Sequence, residues 1–227
     1  MRYPLLVLLG TGTGVGKTHL ACAILHWASA RGLPLVAYKP LESGGLPDAE
    51  SDAGRLAAAS TFHVKPPPTL RYAAELAPVY AAELEQQHVP TDSIRIHIDT
   101  LRQQAPVLLE LPGGALSPFD QRLTNADLVG TLGSAHVVLA ANNALGVLHA
   151  VLSTQCALRA HGAPAQLVLL SAPELPDSST ARNAKDLAHW LGPCPIATLP
   201  RAAPEALVPW LPDEWLVETL TAKAGVR

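Results

Sequence analysis

The stretch Gly10-Thr11-Gly12-Thr13-Gly14-Val15-Gly16-Lys17-Thr18 concentrates the residue types that handle phosphate. Closely spaced glycines let a backbone turn tightly and aim several N–H groups at one point. A helix beginning at the end of such a turn adds partial positive charge there. A lysine placed like Lys17 reaches the outer phosphates of a nucleotide, and the hydroxyl after it, Thr18, is suited to ligate magnesium. The chemistry encoded is the binding of a nucleoside triphosphate with Mg2+. The general pattern G-x-x-x-x-G-K-[ST] asks for glycine at position 11, where this chain has Thr11, and the nearest glycine is one residue earlier, Gly10. The phosphate-binding loop is therefore a variant.

Further residues could act on the same phosphates. Lys39, in Lys39-Pro40-Leu41-Glu42-Ser43-Gly44-Gly45, is one of only five lysines and ends an apolar run. Beside Lys17, its ammonium would stabilise charge that develops during phosphoryl transfer, or hold an anionic co-substrate. Standing alone it would be a solvated lysine at a strand end. Glu110 ends another apolar run, in Leu108-Leu109-Glu110-Leu111-Pro112-Gly113-Gly114. An acid at that place in a phosphate-loop fold serves the magnesium ion directly or from one layer out. Gly113 and Gly114 would let the backbone approach a ligand closely. Asp52 is a second candidate carboxylate, although an acid in the first turn of a helix also simply answers the helix dipole. None of the nine histidines forms H-E-x-x-H or a ligand cluster. His149 stands out because it opens a helical stretch after Asn142-Asn143-Ala144-Leu145-Gly146.

These residues need elements to position them. Apolar runs at 3–9, 33–38, 106–111, 136–141, 166–170 and 195–199 predict six strands. Helical patterns at 18–31, 50–60, 73–87, 92–104, 124–133, 146–161 and 178–191 lie between them, and the tail from 204 to 227, with Trp210 and Trp215, predicts a C-terminal helix packed on the sheet. Strands apolar on both faces and joined by helices imply an α/β fold, P-loop NTPase-like, with a mostly parallel sheet and helices on both faces. Such sheets bind ligands beyond the C-terminal ends of their strands, where these polar residues fall. The length of 227 residues suits a single domain over 1–227.

Composition narrows the function classes. A hydrophobic fraction of 48% against 15% charged residues supports a sizeable core and excludes a disordered chain. The net charge of −3 provides no electrostatic reason to bind nucleic acid or an anionic membrane. Cys22, Cys156 and Cys194 are odd in number and lack C-x-x-C spacing, which fits reduced thiols and a cytoplasmic protein. The run Leu5 to Leu9 is too short to span a bilayer and ends in the glycine loop, so it reads as a strand.

The variant loop and the segments C-terminal to it resemble the ATP-dependent dethiobiotin synthetase family, whose loop has the form G-T-x-T-x-V-G-K-T. Gly10 through Thr18 match it, displaced first glycine included. A second signature, K-P-x-x-[ST]-G, is matched by Lys39, Pro40, Ser43 and Gly44, and a Ser-Asp-Ala setting is matched by Ser51, Asp52 and Ala53. Glu110 with Gly113 and Gly114 is similar to the family's strand-end glutamate and double glycine. The resemblance runs from residue 4 to about 202.

The resemblance implies an enzyme of biotin synthesis that carboxylates diaminopelargonic acid (7,8-diaminononanoate) with CO2. The carbamate formed on one amine attacks the γ-phosphate of ATP. The second amine then closes the ureido ring and releases phosphate. On this implication Lys17 and Lys39 are the catalytic cations, and Gly14, Val15, Gly16, Lys17, Thr18, Asp52, Glu110 and Gly113 bind the nucleotide. Thr18, Asp52 and Glu110 surround magnesium, and Thr13, Ser43, Gly114 and His149 face the substrate. A homodimer is likewise implied, with a small-molecule substrate and a nucleotide as the binding partners.

Three places depart from the family pattern. The family has E-G-A-G-G where this chain has Glu110-Leu111-Pro112-Gly113-Gly114, so proline removes one backbone donor. Many members have Asn-His where this chain has His149-Ala150. The Asn-Asp pair that reads adenine has no match near Ser171-Ala172-Pro173-Glu174, which leaves other nucleoside triphosphates open. The competing readings are another phosphate-loop enzyme, either an amidotransferase-type synthetase or a partitioning-type switch ATPase, and a nucleotide-binding regulator without catalysis. Partitioning ATPases carry a lysine early in the loop, and residues 11–15 contain none.

Overall fold

Leu5, Leu6, Val7, Leu8 and Leu9 are all fully buried in succession, so the first strand must be covered on both faces. The structure is a computed structural model that describes residues 2–45, 47, 50–60 and 64–222. Strand β1 (Leu5–Gly10) is the centre of a six-stranded sheet completed by β2 (Val36–Tyr38), β5 (Val107–Gly114), β6 (Ala135–Asn142), β7 (Ala165–Ser171) and β8 (Ile196–Leu199). The order is β2-β5-β1-β6-β7-β8, and every pairing in it is parallel. All six predicted strands are present. The chain leaves β1 between β5 on one side and β6 on the other, which opens a crevice at its C-terminal end.

Alternation along the strands sorts the core into two layers. Leu5, Val7 and Leu9 pack with α4 (Thr91–Leu101), α5 (Asn125–Thr131), α6 (Val147–Ala160) and α7 (Asn183–Leu191) through residues such as Ile98, Leu128, Val151 and Leu187. Leu6 and Leu8 face α1 (Lys17–Ala30), α2 (Asp52–Ala59) and the C-terminal segment. That segment is a 3-10 helix (Pro204–Trp210) followed by α8 (Asp213–Thr221). The end of the expected helical tail, 223–227, lies outside the described residues. Leu207, Leu211, Leu216 and Leu220 seat the segment on the sheet, whereas Trp210 is exposed, so the aromatic anchor expected there is only Trp215.

Three features differ from the expected elements. Leu41–Ser43 (β3) and Leu70–Tyr72 (β4) form a second, two-stranded parallel sheet that no hydrophobic run announced. The helix expected over 73–87 is only Pro78–Leu84 (α3), because Pro78 takes a first-turn position, where its missing N–H costs nothing, and the residues before it bend. The helix expected over 178–191 likewise begins at Asn183. Pro112 is accommodated by an irregularity: Leu8 pairs with Glu110, but Gly10 pairs with Gly114, so β5 carries extra residues there. All three cysteines are unpaired. Among the described residues no helix is long and apolar enough to cross a membrane.

Candidate active site

The loop after β1 turns back on itself so closely that Gly10 has no room for a side chain. A Cβ there would lie 2.7 Å from the Gly12 carbonyl oxygen, 2.8 Å from Val15 Cγ2 and 3.0 Å from Lys17 Nζ. The displaced first glycine is thus a steric requirement of this variant turn. Gly14 and Gly16 come next at φ +73° and +86°, the left-handed region that a residue with a Cβ resists. Helix α1 starts from Gly16 with no side-chain cap and no acid in its first turn. Its opening N–H groups are therefore available to an anion. The other two helices of the site region are closed off: Ser51 caps α2, and Thr124 with Asp127 forms a capping box on α5.

Four of the predicted residues meet in one cluster. Lys39 Nζ donates to Glu110 Oε1 at 2.7 Å and also to Asp52 Oδ2. Thr18 Oγ1 donates to the same Glu110 oxygen at 2.8 Å. Glu110 has no exposed surface, and Lys39 is 6% exposed. Burial opposes the charge on Lys39, but Glu110 and Asp52 together outweigh it and raise its pKa. Burial likewise opposes the charge on Asp52, and the Lys39 ammonium beside it holds the carboxyl below its usual range. Lys17 is held next to this group by the carbonyls of Gly12 and Gly113, each at 2.9 Å. Its pKa is lowered because burial exceeds the attraction of Glu110.

Gly113 and Gly114 are tied to the loop as well. Gly113 has φ +67°, and a Cβ on it would collide with Ser117 Oγ. A Cβ on Gly114 would press at 3.4 Å on the carbonyl oxygens of Gly10 and Thr11. Thr13 is exposed at the loop tip. Ser43 Oγ donates to the Leu76 carbonyl at 2.6 Å, which spends its proton inside the protein. His149 is exposed in the first turn of α6, and the structure does not join it to the cluster.

Several participants were not singled out from the sequence. Glu42, 7% exposed, accepts the Asp52 N–H at 2.8 Å. Asn125, fully buried, donates to the carbonyls of Pro112 and Gly114 at 2.6 and 2.8 Å and so sets the end of β5. Ser117 Oγ accepts the Gly114 N–H at 2.8 Å. The signals were present but weak: each is a lone polar residue in a loop, at a helix start or, for Glu42, in a three-residue strand, where solvation is the default. On the other side of the loop, Gly14, Gly16, His19, Ser171, Glu174 and Arg201 border a cleft of about 570 Å3, a size that suits a nucleoside. Ser171 Oγ is buried there without a hydrogen-bond partner.

The donor set also bears on a metal. Among the described residues no three His, Cys, Asp or Glu side chains gather as a metal cage. Thr18, Asp52 and Glu110 nevertheless offer hard oxygen donors, and Glu110 Oε2 is buried without a hydrogen-bond partner. Few protein ligands of this kind fit Mg2+ carried by a polyphosphate.

Known proteins of similar sequence point the same way. A family model described as an AAA domain matches residues 5–206. The ATP-dependent dethiobiotin synthetase BioD of Anaeromyxobacter sp. (strain K) is 38% identical over 215 residues, covering 92% of this chain and 91% of the relative. The protein of the same name from Caulobacter sp. (strain K31) is 36% identical over 214 residues, covering 87% and 88%. Among solved structures, chloroplast FtsY from Physcomitrella patens superposes with a TM-score of 0.57 at 12% identity, covering 98% of this chain and 66% of that one. The signal recognition particle receptor FtsY from Elizabethkingia anophelis does so with a TM-score of 0.52 at 14% identity, covering 96% and 65%. The chain thus spans just under two thirds of those receptors, and the likeness to them is one of fold alone.

Proposed function

The chain belongs to the ATP-dependent dethiobiotin synthetase family, and from that premise we propose that Lys39, Lys17, Thr18, Asp52 and Glu110 form its phosphoryl-transfer centre. Its reaction is the ATP-dependent formation of dethiobiotin in biotin biosynthesis, a ligase step. The observation that carries the proposal is the position of the Lys39 ammonium between two carboxylates at the C-terminal end of the sheet, beside the phosphate loop.

The N–H groups of Gly14 to Thr18 receive the phosphates, with Lys17 released from the Gly12 and Gly113 carbonyls to the outer ones. Lys39 is a pre-positioned cation whose charge Glu110 and Asp52 favour, which suits it to neutralise the carbamate and the phosphoryl oxygens as the carbamate oxygen bonds to the γ-phosphorus and ADP departs. The second amine then attacks the carbamoyl carbon, and phosphate leaves. Gly113 and Gly114 present backbone to the reacting group, and Thr13 and Ser43 approach the substrate. His149 belongs at its far end. Thr18, Asp52 and Glu110 would hold Mg2+, which when bound with the nucleotide neutralises phosphate charge. The nucleoside lies in the cleft beside Ser171.

The single-domain, cytoplasmic and homodimeric character expected from the sequence belongs to the same reading. Leu116, Leu145 and Leu175, all exposed, come after β5, β6 and β7 at the site end of the sheet, and a second copy placed there would cover them. The deciding assay supplies Mg2+, bicarbonate, 7,8-diaminononanoate and ATP, CTP or GTP, and measures phosphate and dethiobiotin together. Phosphate released in step with dethiobiotin supports the proposal. Release without the diamine supports a switch ATPase, and no release with any nucleotide overturns the catalytic assignment.

A further inference from the structure

The residues Lys39, Glu42 and Asp52 close a ring. Two residues, Pro40 and Leu41, join Lys39 to Glu42, the Glu42 carboxylate accepts the Asp52 N–H at 2.8 Å, and the Asp52 carboxylate returns to the Lys39 ammonium. Glu42 Oε2 also lies 3.5 Å from the Ala53 N–H. A lone acid is normally solvated, yet Glu42 is 7% exposed, so its carboxylate has been taken out of water for these contacts. The helix start does not depend on Glu42 alone, because Ser51 Oγ already accepts the Gly54 N–H at 3.0 Å.

The base on which Glu42 stands is firm. It lies in the middle of β3, opposite Arg71 of β4, whose Nε is 3.8 Å from Glu42 Oε2. The same strand is pinned by the Leu70 N–H to the Pro40 carbonyl at 2.9 Å and by Thr69 Oγ1 to the Lys39 carbonyl at 2.7 Å. The covalent route from Ser43 toward Asp52 is longer and turns through Gly44 and Gly45 at φ +109° and +62°. The carboxylate of Glu42 is the short connection between the strand that bears Lys39 and the helix that bears Asp52.

We propose that Glu42 is a positioning residue that sets Asp52 against Lys39, and through Asp52 tunes the hold of the site on the nucleotide's metal ion. This rests on the assignment of Asp52 to the magnesium side of the site. What matters most is an acceptor oxygen at the right reach of the Asp52 N–H, the second oxygen making only the longer contacts to Ala53 and Arg71. Glu42→Gln keeps that oxygen, whereas Glu42→Asp keeps the charge but withdraws the carboxylate by one methylene.

The test compares Glu42→Gln, Glu42→Asp, Asp52→Ala and the Glu42→Asp/Asp52→Ala pair, each checked for a cooperative melt. Two readouts are used: Mn2+ binding with a non-hydrolysable ATP analogue, by electron paramagnetic resonance, and steady-state kinetics. Glu42→Asp is expected to weaken Mn2+ binding and lower kcat by about 10- to 100-fold with little change in the KM for the diamine. Glu42→Gln is expected to stay close to the parent, and the pair to be no weaker than Asp52→Ala alone. A Glu42→Asp protein with parental binding and kcat overturns the proposal. So does a Glu42→Gln protein that falls as far as Glu42→Asp, or a pair whose losses multiply. If Asp52→Ala itself binds Mn2+ and turns over as the parent does, the assignment of Asp52 fails and this proposal fails with it.

Discussion

Lys39 Nζ stands 2.7 Å from Oε1 of Glu110, a carboxylate with no exposed surface, and the two, one just past β2 and the other within β5, are 71 residues apart in sequence. A buried carboxylate needs a partner, and this one has the ammonium on one oxygen and no hydrogen-bond partner on the other. The pair is weak evidence for stability as such, because desolvation offsets most of the attraction. It is better explained as charge held ready for a ligand.

Lys39→Ala is expected to lower kcat by about 10²- to 10³-fold, the cost of removing a pre-positioned donor from a developing charge. Leaving Glu110 unpaired should also cost about 3 kcal/mol of stability. Single-turnover phosphate release and urea melts measure the two effects separately. Activity near the parental value would remove Lys39 from the catalytic group.

The two site lysines should titrate on opposite sides of the ordinary value of 10.5, Lys17 below it and Lys39 above. With five lysines in the chain, nitrogen-15 side-chain spectra can resolve them. For Lys39, whose folded pKa is raised, the stabilisation is fully present below 10.5 and is lost as pH rises through the raised value. Lys17 has the reverse sign: burying its charge is a penalty that is relieved as pH rises from its lowered value to 10.5. Asp52, lowered from 3.8, contributes stability above 3.8 that disappears as pH falls through its folded value. Lys39 losing its proton before Lys17 would contradict this ordering.

Gly10→Ala should impair nucleotide binding, because the added Cβ meets the Gly12 carbonyl oxygen at 2.7 Å and cannot move it without reshaping the loop. Overpacking of this kind costs about 1–3 kcal/mol. Calorimetric titration with ATP and Mg2+ reads the loss, and unchanged affinity would mean that the variant loop tolerates a side chain there.

Ser171→Ala removes a hydroxyl that has no partner within the protein, so the ligand-free protein should change in stability by no more than about 0.5 kcal/mol. The KM for the nucleotide should rise while the KM for the diamine stays constant. A stability loss with unaltered nucleotide kinetics would show that the hydroxyl serves the fold instead.

What was legible in the sequence depended on how local its cause was. Six strands could be read because each falls in a short apolar run, and the loop at residues 10–18 because its glycines, Lys17 and Thr18 act within one turn. Lys39, Asp52 and Glu110 were legible as strand-end and helix-start residues in such a fold. β3 and β4 were not, since three-residue strands carry no period to detect and exist only by pairing with each other. Glu42, Asn125 and Ser117 were missed for a related reason: each is polar in a place where water is the usual partner.

The sequence by itself determined the class of ligand, because a glycine turn followed by Lys17 and Thr18 has one good use wherever it stands. The tertiary structure decided that Lys39, Asp52 and Glu110 share one point, and that Glu42 is buried against Asp52 instead of solvated. The reason is physical: burial and ion pairing arise between segments far apart in the chain, and only the parallel packing of β2 and β5 beside β1 brings those segments to the same end of the sheet.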